Sequence, residues 1–310
     1  MEYIIFLVSM SALIYGANFI VIESEKIALY FEIPAFIIGA TIIALGTSLP
    51  EMAASITASY HGKSDMAVAN VLGSVTFNIS LVLGVIFLLA KNITPTRDIF
   101  KNDSIWIIIP PVLFILMAYD GSISRIDGLI LLFLMVAYVI FLQDDRKSLE
   151  AELDNDILKV NFSWIKTSFF LIIGFAFVIT GAQYTIQSAS QIAVNFGISE
   201  WVISLLFIAF GTSLPELIVS IIAVKNNNVD MAIGNIIGSN VANFAVVLGA
   251  SALVNPLHVD LFKNGFDVLC VFASSVILVY ISATKLYKKP AGIVLLSIII
   301  IFINHSFNLI

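Results

Sequence analysis

The sequence predicts an all-α membrane protein with ten transmembrane helices, arranged as two inverted-topology five-helix repeats with discontinuous core helices. Three observations lead there. Of the 310 residues 60 % are hydrophobic and 12 % charged, with a mean hydropathy of +1.04, whereas water-soluble domains carry about 25 % charged residues. Apolar runs of about 20 residues, enough for a helix to cross a bilayer, recur along the whole chain. The second half of the chain also repeats the first at a constant offset.

Taken in order, the apolar runs place spans at 2–22, 34–60, 66–90, 104–119, 126–142, 164–190, 198–224, 230–254, 265–283 and 290–307. Helices satisfy their own backbone groups inside lipid, and the alternating ten-residue pattern of a membrane β-barrel does not occur. The chain opens Met1-Glu2-Tyr3 without a basic segment, so the first apolar run reads as a retained helix and not as a cleaved signal. Cys270 is the only cysteine and sits in an apolar run, which leaves no intrachain disulfide to form. Much of the net charge of −6 gathers in a polar linker at 143–162, so the overall charge says little about partners. The domains predicted are 1–142, this cytoplasmic linker, and 163–310.

Orientation follows from the basic residues of the loops. With ten spans, Lys63, Arg125 and Lys263 fall on the side of both termini, and the other 12 of the 15 basic residues fall opposite. Both termini are therefore expected outside.

The repeat is read at an offset of 165. Gly46-Thr47-Ser48-Leu49-Pro50-Glu51 returns unchanged as Gly211-Thr212-Ser213-Leu214-Pro215-Glu216. Asp65-Met66-Ala67 matches Asp230-Met231-Ala232, Asn70 matches Asn235, and Gly73-Ser74 matches Gly238-Ser239. Asn78 pairs with Asn243, Val82-Leu83-Gly84 with Val247-Leu248-Gly249, and upstream Gly16-Ala17 with Gly181-Ala182. Because each half holds an odd number of spans, the second copy enters the membrane from the opposite side. Secondary transporters recur in this form, with halves that move around a shared midplane site. A duplication kept for packing alone does not account for polar positions being repeated along with apolar ones.

The repeated motif places Glu51 and Glu216 near mid-membrane. A carboxylate there costs on the order of 3 kcal/mol, so it requires partners or a cation. Pro50 and Pro215 lack an N–H and are expected to break their helices, which frees carbonyls around Ala44–Ser48 and Ala209–Ser213. The hydroxyls of Thr47, Ser48, Thr212 and Ser213 add oxygens, as do Ser74, Asn78, Ser239 and Asn243 on the following helices. An all-oxygen set suits a hard cation such as Ca²⁺, which takes six to eight oxygen ligands. It does not suit zinc or copper, which favour Cys and His. Two carboxylates balance one Ca²⁺ or two Na⁺, and a third Na⁺ would make exchange electrogenic.

These paired motifs, with Gly-Asn-x-x-Gly-Ser or its first-repeat variant Ala69-Asn70-Val71-Leu72-Gly73-Ser74, resemble the alpha-repeats of the sodium/calcium exchanger branch of the cation/calcium antiporters. The resemblance implies a central Ca²⁺ site with Glu51 and Glu216 as bridging carboxylates and the Thr47 and Thr212 carbonyls as further ligands. It implies Na⁺ sites drawing on Ala44, Ser48 and Ser74 in one half and Ala209, Ser213 and Ser239 in the other. Asn78 and Asn243 close the middle. The helices near Gly16 and Gly181 resemble a mobile pair that slides past the core. Asn243 stands where some relatives, including those that also carry K⁺, have Asp, so K⁺ co-transport is not expected.

The function expected is Na⁺/Ca²⁺ antiport by alternating access in a prokaryotic inner membrane. The partners are the two ions and lipid. No cofactor, nucleic acid, obligatory protein partner or enzymatic activity is expected. Buried glutamates also carry protons, which leaves a H⁺/Ca²⁺ antiporter of the same fold as the alternative. An intramembrane hydrolase would need Asp-based motifs that are not present, and a passive channel would pass ions without a counter-ion. Asp65 and Asp230 each precede a helix, where an N-cap is the simplest role. Asn70 and Asn235 read equally as orienters of the site and as interhelical glue. Asn92-Ile93-Thr94 matches a glycosylation pattern but falls on the cytoplasmic side. The acidic run at 144–156 lacks EF-hand spacing and reads as a solvated linker.

Overall fold

The computed structural model describes residues 2–89, 95–150, 162–196 and 211–308. The Asn92-Ile93-Thr94 pattern, the second half of the acidic run (151–156) and Ala209 lie outside them. The helices are α1 (Glu2–Tyr30), α2 (Ala35–Thr47), α3 (Leu49–Tyr60), α4 (Ser64–Leu89), α5 (Ile99–Met117) and α6 (Arg125–Glu150). There follow α7 (Trp164–Asn195), α8 (Leu214–Lys225), α9 (Val229–Val254), α10 (Gly265–Ala283) and α11 (Lys289–Asn308). Seven of these are long and apolar enough to cross a membrane, and α2 with α3 makes one more as a broken span. The apolar part of α11, Lys289–His305, is shorter, and α8 is the described part of the span expected at 198–224. The chain is thus an all-helical membrane protein.

Contacts gather the chain into two compact units, residues 1–47 with 142–235 and residues 48–141 with 236–310. In the first unit, α1 and α7 run against each other along their length. They can approach because the contact points lack side chains. A Cβ on Gly16 would lie 2.7 Å from the Gly174 carbonyl oxygen, and one on Gly181 would lie 2.8 Å from the Leu13 nitrogen. The Thr185 hydroxyl donates to Ser9 Oγ at 2.9 Å across the same face. Small residues and polar cross-links of this kind drive helix association where lipid removes the hydrophobic incentive. At one end, Ile27, Ala28 and Ile38 pack with Phe31, Ile33, Phe162 and Leu171, and the rings of Tyr30 and Phe162 stack at 4.2 Å.

In the second unit α4 is the central element. Eighty-three per cent of its most apolar window is buried, against 28 % for α6, so α4 is a core helix and α6 a lipid-facing one. Phe133, Val136 and Ile140 on α6 are exposed accordingly. Helix α3 packs on α4 and on the second half of α9, while α10 packs on α5. Strands β1 (Ser122–Ile123) and β2 (Leu257–His258) pair antiparallel and join two loops.

Several boundaries differ from the hydropathy reading, each for a local reason. Helix α5 begins at Ile99, five residues before the expected 104, because Asp98 caps it by accepting from the Lys101 N–H at 3.1 Å. Its polar first turns are held by a buried ion pair between Arg97 and Asp103, at 2.6 and 3.0 Å. Helix α6 runs eight residues past 142, because the residues beyond the apolar stretch are still helix formers. The breaks in the duplicated motif fall at Ser48 and Ser213, both with ψ near zero, and the prolines stand in the first turn of α3 and α8. A proline at a helix start loses no hydrogen bond, so the disruption moves upstream of it. Three π-turns, Gly39–Ile43, Asn78–Leu83 and Asn243–Leu248, were not anticipated, nor was the Pro110-Pro111 pair inside α5.

Candidate cation site

The expected ligands divide between the two units. The first unit holds Ala44 and Thr47 at the end of α2, Thr212 and Ser213 before α8, and Glu216 in its first turn. All except Thr212, which is half-buried, are closed off from solvent, and Glu216 is 0 % exposed. The Thr47 hydroxyl donates to the Ala44 carbonyl at 3.3 Å and lies 3.4 Å from Asn235 Oδ1, while Asn235 Nδ2 donates to Ser220 Oγ at 3.0 Å. Thr47 is thereby tied to α9 and, through Asn235, to α8. The Ser213 hydroxyl is buried and makes no hydrogen bond among the described residues.

The second unit holds Ser48 at the break, Glu51 in the first turn of α3, Ser74 and Asn78 on α4, and Ser239 and Asn243 on α9. All six are buried, with Glu51, Asn78, Ser239 and Asn243 at 0 % exposure. Asn70 Nδ2 donates to the Glu51 carbonyl at 3.2 Å and to Ser55 Oγ at 2.8 Å. Asn78 Nδ2 donates to Asn240 Oδ1 at 3.2 Å. The other end of Asn78, its Oδ1, and both polar atoms of Asn243 have no hydrogen-bond partner among the described residues. Such orphaned amides are rare in protein interiors and mark a place where a ligand, ion or water completes the shell.

Asn78 and Asn243 each open a π-turn, at positions related by the repeat offset. A π-turn inserts one residue into the helix and re-aims the side chains around it, which is why such turns gather at functional sites. Asn240, Ser55 and Ser220 were not picked out from the sequence. Ser55 and Ser220 stand 165 apart, so the duplication itself could have flagged them, but Asn240 pairs with Val75 and carries no such signal. The N-cap expectation for Asp65 is corrected: α4 starts after Lys63 with no side-chain cap, and the Asp65 carboxylate instead pairs with Lys263 Nζ at 2.5 Å. That contact holds the Lys263 ammonium above its ordinary range. Asp230 stands in the first turn of α9.

Two fully buried carboxylates, each three residues past a break in an apolar helix, fit a membrane carrier of cations. The chain belongs to the sodium/calcium exchanger protein family, whose model matches residues 1–143 and 166–308. It is 35 % identical over 298 residues to an uncharacterised membrane protein of Methanocaldococcus jannaschii, covering 96 % of this chain and 95 % of that one. It is 30 % identical to the sodium/calcium exchanger MaX1 of Methanosarcina acetivorans, covering 97 % of each. The solved structure of the sodium-calcium exchanger NCX_Mj soaked with Na⁺ and Ca²⁺ superposes with a TM-score of 0.81 at 33 % identity, covering 98 % of this chain and 97 % of that one.

Proposed function

We propose that this protein exchanges Na⁺ for Ca²⁺ across a prokaryotic inner membrane by alternating access, with both termini outside. Glu51 and Glu216 take the divalent ion, joined by the carbonyls of Thr47 and Thr212. Na⁺ is carried on oxygens of Ala44, Ser48, Ser74, Ala209, Ser213 and Ser239, with Asn78 and Asn243 completing the centre. The observation that carries this reading is the donor chemistry. Asn78 Oδ1, Asn243 Oδ1 and Ser213 Oγ are buried oxygens without hydrogen-bond partners among the described residues, in compact units that each hold one fully buried carboxylate. A hard cation supplies what those oxygens lack. The sodium/calcium exchanger name of one relative, and a second relative solved with Na⁺ and Ca²⁺, support the same cargo.

A proton-coupled Ca²⁺ antiporter is the second reading, because a buried carboxylate can exchange a proton for a cation. Proteoliposomes separate the two. Vesicles loaded with Na⁺ should take up Ca²⁺ where matched vesicles loaded with K⁺ or choline do not. Uptake driven only by a pH gradient would assign the proton-coupled reading. Failure of both gradients in active vesicles would remove Ca²⁺ as the cargo.

A further inference from the structure

Both carboxylate helices carry a serine one turn past the glutamate, and in both an asparagine of the next helix is bonded to it. Ser55 is four residues after Glu51 and accepts from Asn70 Nδ2 at 2.8 Å. Ser220 is four residues after Glu216 and accepts from Asn235 Nδ2 at 3.0 Å. Both serines are 0 % exposed, and the two bonds are related by the offset of 165 although they lie in different compact units. We propose that Ser55–Asn70 and Ser220–Asn235 are paired positioning clamps that fix the rotation and depth of Glu51 and Glu216 for cation binding.

The geometry favours positioning over generic adhesion. Residues four apart lie on the same helix face, one above the other. A hold at Ser55 or Ser220 therefore acts on the very face that presents the carboxylate. Asn70 reaches further and donates to the carbonyl of Glu51 itself at 3.2 Å, so one amide spans the whole turn. Ser55 then donates onward to the Ala67 carbonyl at 3.4 Å, sewing α3 to α4 at that level. In the other clamp the far end of the amide is also engaged, since Asn235 Oδ1 faces the Thr47 hydroxyl at 3.4 Å. That second contact couples the clamp of one repeat to the motif of the other. Outer partners of metal ligands typically govern about 10- to 100-fold in metal affinity.

This inference rests on the cation-carrier reading, and the test separates the two. Equilibrium binding of radioactive Ca²⁺ to the purified, detergent-solubilised chain is measured alongside its thermal unfolding for wild type, Ser55→Ala, Ser220→Ala, and the hydroxyl-retaining Ser55→Thr and Ser220→Thr. Each alanine variant should bind Ca²⁺ about tenfold more weakly while its melting temperature falls by only a few degrees, as expected for one neutral hydrogen bond. The threonine variants should recover most of the affinity. Alanine variants that melt lower but bind as the wild type does would overturn the clamps and leave the carrier reading intact. A wild type that binds no Ca²⁺ would overturn the carrier reading and the clamps with it.

Discussion

At the scale of single residues the proposed function rests first on the two glutamates. Each is 0 % exposed and opens a short helix just after a break. Glu51→Gln or Glu216→Gln keeps the volume and removes the charge, so Ca²⁺ flux into Na⁺-loaded vesicles should fall to background while membrane insertion is unchanged. Wild-type flux from either variant would take that residue out of the site. A different buried charge is structural. Arg97 and Asp103 form a two-bond pair at 6 % and 0 % exposure. Removing one partner of such a pair costs about 3–5 kcal/mol, because the other charge stays buried, whereas replacing both by apolar groups is often neutral. Asp103→Asn should therefore lower the melting temperature markedly, and Arg97→Met with Asp103→Leu should recover most of it. Unchanged melting of the single variant would show that the pair holds nothing.

At the scale of elements, the close approach of α1 and α7 sets the packing of the first unit. Since a Cβ on Gly16 would sit 2.7 Å from both the Gly174 oxygen and the Phe177 Cβ, even alanine forces the two backbones apart. Overpacking of this kind costs about 1–3 kcal/mol. Gly16→Ala should thus destabilise the protein, and Gly16→Val more so, whereas Gly265→Ala, where a Cβ meets nothing within 4 Å, should melt as the wild type. If α1 and α7 slide as a pair, the Gly16 variants should also slow uptake at saturating Ca²⁺. Much of this scale was legible beforehand. The Gly16 and Gly181 match pointed to the pair, and apolar runs located the helices, because lipid forces nearly every spanning residue to be apolar. The π-turns at Asn78 and Asn243 were not legible. Their residues sit in ordinary helical sequence, and an i→i+5 bond leaves no compositional mark. The breaks at Ser48 and Ser213 fall at the ends of the stretches expected to open, and the prolines start the helix that follows each break, because proline suits the first turn of a helix.

At the scale of the whole molecule, membrane class and family were legible because they rest on bulk composition and an unbroken repeated motif. The partners of the motif were not. Asn240, which receives the Asn78 amide, has only a valine at the equivalent place in the first repeat, and a single polar residue in an apolar helix gives no hint of what it faces. Orientation is a property of the whole chain, and the proposal of both termini outside rests on the 3 basic residues against 12 that a ten-span reading gives. Positively charged loops stay in the cytoplasm, and the preference grows with the asymmetry between the two sides. Labelling can read it directly, because the single native cysteine, Cys270, is buried and can be replaced by serine to give a silent background. Lys63 and Lys288 are both exposed and fall on opposite sides of the assignment. In intact cells a membrane-impermeant maleimide should label Lys63→Cys, and should reach Lys288→Cys only after permeabilisation. The reverse pattern would invert the protein in its membrane, placing the 12-residue basic side outside. The proposed cation roles of Glu51 and Glu216 would be untouched by that result, but the face from which the proposed exchanger admits each ion would be inverted.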